Sequence, residues 1–395
     1  MGSGHCMTHQ NLSPILSPPK AEDACSVILK LVGESCNLDC SYCYEKRKPY
    51  SGSRILKAST VQEFLLSIPH PKLAIELHGG EPLLYPKEEF KFLSKVLEDN
   101  QSRISRVTIQ TNGTLLDEEF ILYLHSAFPN IQIGISIDGP DEINSQRADI
   151  KGNSSFDSAL KAISLCGELG VDVGVICVVS RQSLGKASHI LDFFSNYTAI
   201  KIVKFVPCFD FGVTQGNGPL RRNEIRGEIN AHGEQGTPWA ISPAEYTDFI
   251  LAATDYWIEG TGVDLFLMEP AVSTLRAVSG VPLNNCHYTS RKCAHVYTLY
   301  PDGTSGSCDE LERSFAHYSN EPSNAYSGSI QKWSENISCE INSLIRKCLS
   351  CEYQSTCGGG CLATRKRLYK LDRDDEYCNH RKALIDNAKI MLKKE

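Results

Sequence analysis

The chain has 395 residues, and at roughly 100–200 residues per domain this leaves room for about two to three domains with full cores and excludes a small disulfide-stapled scaffold. Its 40 basic and 47 acidic side chains leave a formal charge of −7 with no long basic run to track phosphates, so nucleic acid is not an expected partner. No run approaches the ~18–20 apolar residues of a membrane helix, and no basic-then-apolar secretory signal opens the chain, so a cytoplasmic protein without a membrane partner is expected.

Residues 1–24 read as an N-terminal tail. Short β-rich runs then alternate with amphipathic helical ones. The strand candidates are SVILKLVG from Ser26, LAIELHG from Leu73, ISRVTIQTNG from Ile104, IQIGISIDG from Ile131, VDVGVICVVS from Val171 and IKIVKFVPC from Ile200. Between them lie FKFLSKVLED from Phe90, EEFILYLHSAF from Glu118 and SALKAISLCGELG from Ser158, with Gly170 as a helix stop. The alternation predicts an α/β fold over residues 25–212, a parallel sheet of right-handed crossovers closing into a partial (β/α)6 barrel more than a full eight-fold one. In such folds functional groups gather at the carboxyl ends of the strands.

From Phe209 to Ser242 the pattern gives way to Gly, Pro and polar residues, including GVTQGNGPLRRN, which reads as a long functional loop or linker. Residues 213–280 are expected to be linker and bridging helices, one of them PAEYTDFILAATDYWIEG from Pro243. Residues 281–395 form a cysteine-rich region with few long apolar runs, whose folding should depend partly on what its thiols bind, and RKALIDNAKIMLKK from Arg381 closes it as a helix.

Seventeen cysteines are many for a reducing compartment, and they cluster. In ESCNLDCSYCYE, directly after the first strand, stand Cys36, Cys40 and Cys43. Three thiolates can hold three irons of a cubane and leave the fourth open to a small ligand; a zinc site completed by a distant residue is the alternative. After the second strand, HGGEPLL offers Gly79 and Gly80 for close backbone approach and Glu81 as a carboxylate facing the same mouth.

Together these two motifs resemble the radical S-adenosylmethionine (SAM) enzymes. The resemblance implies a 4Fe–4S cluster on Cys36, Cys40 and Cys43, with SAM on its open iron. It further implies Tyr42 near the adenine and Gly79, Gly80 and Glu81 at the methionyl amino group. Ser136 and Asp138 of SIDGP would lie near the ribose, and Arg147 near the carboxylate. Each also has a plain structural reading: Tyr42 as core, Asp138 as a turn cap, Arg147 as a surface ion pair.

In the last third, Cys293 and Cys308 flank Gly303, and Cys348, Cys351, Cys357, Cys361 and Cys378 follow. This pattern resembles the SPASM extension of radical SAM peptide-modifying enzymes, with Cys286 as an eighth ligand. By that resemblance Cys286, Cys293, Cys308 and Cys361 hold a nearer auxiliary 4Fe–4S cluster, and Cys348, Cys351, Cys357 and Cys378 a farther one, making three clusters in all. Local spacing alone also allows a pair of zinc sites. Cys6, Cys25, Cys166, Cys177, Cys208 and Cys339 read as ordinary thiols.

Asp309, next to Cys308, resembles the proposed base of anaerobic sulfatase maturases, with Glu310 and Glu312 nearby and an exposed loop aspartate as the alternative. CGGGC followed by YCNHRKAL looks most like maturases of ribosomally made peptides that form cyclophanes. The implied partners are a precursor peptide and an electron donor such as flavodoxin or ferredoxin. The implied reaction joins an aromatic ring carbon to a neighbouring β-carbon, with thioether or formylglycine formation as relatives and a noncatalytic metal-binding scaffold as the reading from another class.

Overall fold

A computed structural model describes residue 20 and residues 22–47, 55–128, 130–209, 238–260, 262–283, 285–311, 339–369 and 371–393. The six expected strands are present as β1 (Ala24–Lys30), β2 (Lys72–His78), β3 (Ile104–Thr111), β4 (Gln132–Ser136), β5 (Val173–Val179) and β6 (Ile200–Pro207), each parallel to the one before. Helices α1 (Ala58–Ser67), α2 (Lys87–Asp99), α3 (Glu118–Ala127), α4 (Phe156–Glu168) and α5 (Ala187–Ser195) make the crossovers. The sequence pattern left α1 and α5 unassigned. The expected loop between Phe209 and Ser242 lies, as residues 210–237, mostly outside the described residues, as do Cys6, Glu312 and most of the N-terminal tail.

Beyond it, α6 (Pro243–Glu259) starts where expected because Ser242 and Glu245 cap each other: Glu245 N donates to Ser242 Oγ at 3.1 Å and Ser242 N to the Glu245 carboxylate at 2.8 Å. β7 (Leu267–Glu269) then extends the sheet past β6, followed by α7 (Ala271–Val278). The chain next crosses to the opposite edge, where β8 (Val296–Leu299) runs parallel to β1 and β9 (Ser305–Gly306) antiparallel to β8. The sheet order is β7-β6-β5-β4-β3-β2-β1-β8-β9, with β7 and β9 as edges, so the barrel is partial. Strands of two to four residues carry no readable alternation, which is why β7, β8 and β9 were not foreseen. The cysteine-rich region thereby shares the barrel's sheet before continuing into α8 (Cys339–Leu349), α9 (Leu362–Tyr369) and α10 (Asp374–Met391), the last packed on α6 and α7.

Period-two patterning sorts the two sheet faces. Leu73, Ile75 and Leu77 of β2 and Val107 and Ile109 of β3 are buried in the core with Phe90 and Leu93 of α2 and Ile121 and Leu124 of α3. Their alternates Glu76, His78, Thr108, Gln110 and Ser136 keep partial access on the inner face. Register sets Lys30 opposite His78, Glu76 opposite Thr108, and Gln110 opposite Gly134. The interior is therefore polar. No helix among the described residues is long and apolar enough to cross a membrane.

Candidate active site

The cysteine loop leaves the carboxyl end of β1 and is tied on two sides. Asp39 N donates to Ala148 O at 2.7 Å and Ser41 N to Gln146 O at 3.1 Å. Leu38 N and Asn112 Nδ2 point at Cys36 Sγ from 3.3 and 3.8 Å. Cys36 is exposed, Cys40 buried and Cys43 half-buried, and the Cys36 thiol lies within electrostatic range of the other two.

The turn after β2 runs backbone against backbone with this loop. Gly80 N donates to Gly33 O at 2.8 Å and Glu81 N to Ser35 O at 2.9 Å. A Cβ at Gly80 would sit 2.1 Å from Ser35 O, and Gly79 has a φ of +151°. The glycine pair thus makes room for the cysteine loop itself. The expectation that Glu81 faces the mouth is not met. Its carboxylate is wholly buried and accepts from Thr111 Oγ1 at 2.7 Å, Asn112 N at 2.7 Å and Leu83 N at 3.0 Å. Burial pushes its pKa up against those hydrogen bonds, and the side chain acts as a strut between the ends of β2 and β3.

Tyr42, Asp138 and Arg147 come together and are all buried. The Tyr42 hydroxyl donates to Asp138 Oδ2 and accepts from Arg147 Nη1 at 2.9 Å. Arg147 Nη1 stands 3.8 Å from Asp138 Oδ1, which also accepts from Val178 N at 2.9 Å. This triad pins the loop to the ends of β4 and β5, and Arg147 is not a surface ion pair. Tyr42 packs with Cys40, Cys208 and Trp239. Ser136 ends β4 on the inner face and accepts from Gln110 Nε2 at 2.8 Å.

Asp309 is 6 % exposed, which excludes the loop-aspartate alternative. It sits in a buried polar cage that the sequence reading missed. Lys30, 1 % exposed at the end of β1, donates to Glu45 Oε1 at 2.5 Å, Asp309 Oδ2 at 3.1 Å and His78 Nδ1 at 3.1 Å. Burial alone would lower the ammonium's pKa, but the two carboxylates outweigh it and hold it above the ordinary lysine value. His78 Nδ1 also accepts from Gly79 N at 2.8 Å. Both neighbours of Nδ1 are donors only, so the ring proton is on Nε2, which faces Tyr44 Oη at 3.3 Å. Tyr44 in turn donates to Asp309 Oδ2 at 3.0 Å. Glu45, His78 and Asp309 are close enough to hold a cation, and Lys30 fills that place. Tyr44 follows Cys43 and Asp309 follows Cys308, so their hydrogen bond joins the first cysteine loop to the C-terminal region.

Eight of the remaining described cysteines fall into two sets of four. Cys293 and Cys361 are in electrostatic range of each other and of both Cys286 and Cys308, with Cys293 and Cys308 also sharing a hydrogen bond. Cys348 is in contact with Cys351 and Cys357, and Cys378 with Cys348 and Cys357. Lys292 lies between the groups, donating to Cys286 O at 2.6 Å and Gly360 O at 3.0 Å, and burial brings its pKa down to about 8. No three of the described cysteine sulfurs lie within 4.8 Å of one another. Four thiols in each set are the donor chemistry that a fully ligated 4Fe–4S cluster takes.

Residues 31–194 match the family model of the radical SAM superfamily. The chain is a radical SAM enzyme. It is similar, at 27 % identity over 86 % of its length and 83 % of the relative's, to a serine-type anaerobic sulfatase-maturating enzyme of Bacteroides thetaiotaomicron. A cysteine-type sulfatase-maturating enzyme of Clostridium perfringens is 25 % identical over 92 % of this chain and 96 % of its own. Among solved structures, native anSMEcpe with bound AdoMet shares the fold of this radical SAM enzyme with a TM-score of 0.73 at 21 % identity, covering 94 % and 98 % of the two chains. The same protein with bound AdoMet and Cp18Cys peptide gives 0.73 at 22 % identity, covering 93 % and 98 %.

Proposed function

We propose that this radical SAM enzyme modifies a ribosomally made precursor peptide, forming an oxidative carbon–carbon cross-link between an aromatic ring and a nearby β-carbon. Cys36, Cys40 and Cys43 would hold the SAM-chelating 4Fe–4S cluster and the two quartets the auxiliary ones. When bound, these groups supply hydrogen-atom abstraction from carbon and a sink for a second electron. Tyr42 with its Asp138 and Arg147 partners keeps the cysteine loop in place, and Ser136 and Gln110 line the inner face beside it. The observation that carries the reading is the Asp309 carboxylate, held by Lys30 and Tyr44 between the first cysteine loop and the nearer quartet. Joining two carbons removes one hydrogen atom from the β-carbon and, from the ring, one proton and one electron. Asp309 would take that proton.

The sulfatase-maturating relatives favour a second reading, formylglycine formation on a serine or cysteine. Both cross-linking and serine oxidation remove two hydrogens, so mass alone does not separate them. Anaerobic incubation with a peptide encoded beside the gene should give that mass loss with no backbone fragments between the linked residues in tandem spectra. An aldehyde trapped by a hydrazine probe on a sulfatase-derived peptide, with no linked product from the neighbouring one, would replace cross-linking by the second reading.

A further inference from the structure

Two arginines that the reaction does not use are buried against one of the two quartets. Arg365 of α9 is 1 % exposed and spends every donor: Nε and Nη2 reach the two Asp374 oxygens at 2.9 Å each, Nη2 also reaches Leu344 O at 2.9 Å, and Nη1 points at Cys348 Sγ from 3.1 Å and at Gly359 O from 3.5 Å. Arg381 of α10 is 3 % exposed, lies over the Tyr288 ring at 3.9 Å, donates from Nη2 to His287 O at 3.4 Å and lies in electrostatic range of Cys357. Both sulfurs belong to the farther set. The cations beside the nearer set, Lys292 and Arg367, lie in electrostatic range of its sulfurs but donate their hydrogen bonds elsewhere: Lys292 to two carbonyls, and Arg367 to the Glu310 side chain, 2.7 Å away. The two sets therefore differ in their electrostatic surroundings although each has four thiols.

A 4Fe–4S core with four thiolates is anionic and gains one more negative charge on reduction. N–H···S bonds and buried positive charge stabilise the reduced form more than the oxidised one and so raise the reduction potential. We propose that Arg365 and Arg381 hold the cluster on Cys348, Cys351, Cys357 and Cys378 at a higher potential than the one on Cys286, Cys293, Cys308 and Cys361, making the farther cluster the terminal resting place for electrons taken from substrate. The inference rests on the reading above that the quartets hold 4Fe–4S clusters. Asp374, which neutralises Arg365 and lies in electrostatic range of Cys378, opposes the effect.

The test is a potentiometric titration, followed by electron paramagnetic resonance, of the anaerobically reconstituted full chain. Arg365→Gln and Arg381→Gln should each lower the farther cluster's midpoint, cutting its reduced-to-oxidised ratio about tenfold at the wild-type midpoint, or about 59 mV for one electron. Asp374→Asn should move the same signal the other way, which disruption of packing would not do. If Arg365→Gln fails to assemble, Arg381→Gln and Asp374→Asn decide between the outcomes. Full iron with midpoints unmoved in both overturns the proposal and leaves the cluster reading standing. Wild-type chain with zinc in place of iron overturns the cluster reading itself.

Discussion

Lys30 is the residue whose loss should reveal the Asp309 cage most clearly. The ammonium touches Glu45 at 2.5 Å and Asp309 at 3.1 Å, with side chains 1 %, 5 % and 9 % exposed respectively. Lys30→Met keeps the length of the stem and removes the charge, leaving two buried carboxylates without their common partner. Breaking a buried pair in this way costs about 3–5 kcal/mol. An unfolding entropy of about 2.1 cal/mol/K per residue over 395 residues makes each degree of Tm worth about 0.8 kcal/mol, so a loss of about 4 kcal/mol lowers Tm by about 5 °C. Anaerobic thermal unfolding measures the shift. Because Tyr44 still holds Asp309, 5′-deoxyadenosine release should fall less than product formation, and Lys30→Arg should recover part of both. A Tm within 1 °C of wild type, with product and 5′-deoxyadenosine still coupled, would refute the role given to Lys30.

Gly80→Ala places a methyl 2.1 Å from Ser35 O; with backbone on both sides it should cost about 1–3 kcal/mol or more and displace the cysteine loop, seen as lower Tm and iron lost from the front site. Tyr42→Phe removes the hydroxyl between Asp138 and Arg147 and should cost about 1–3 kcal/mol, read by Tm, with weaker SAM binding by equilibrium dialysis. Burial first, and Lys30 second, hold the His78 pKa below its ordinary value. The unfolded chain therefore takes up a proton near pH 6.5 that the folded one refuses, and stability falls as pH drops below about 6.5; His78→Gln should flatten that part of a Tm-against-pH curve.

The six barrel strands were legible because the period-two runs of β1 to β6 are long and each is bounded by a helical pattern or a turn. The spacing of the cysteines likewise marked residues that the fold gathers into three groups, with Cys361 separated from its sequence neighbour Cys357. The partners of those residues were not legible. Lys30 reads in SVILKLVG as one polar residue in an apolar strand, and nothing local says that Asp309, in the region after β8, will reach it. Arg365 and Arg381 sit on helices that bury Leu362, Leu368, Leu384 and Ile385, and nothing in the local pattern marks either arginine as buried with them. Glu81 stands beside two glycines that a sequence reading takes as an opening, yet β3 closes over its carboxylate. Lys30, Glu81 and both arginines are fixed by contacts between distant segments, which is the information a linear pattern lacks.

The central claim is that the Cys36, Cys40 and Cys43 loop is the source of the chemistry. Anaerobically reconstituted wild type should carry about twelve irons and release 5′-deoxyadenosine from SAM under reduction, while the variant with all three cysteines changed to alanine should keep about two-thirds of that iron and release none. A triple variant that cleaves SAM like wild type, or a wild-type chain that binds zinc and leaves SAM intact, would contradict it.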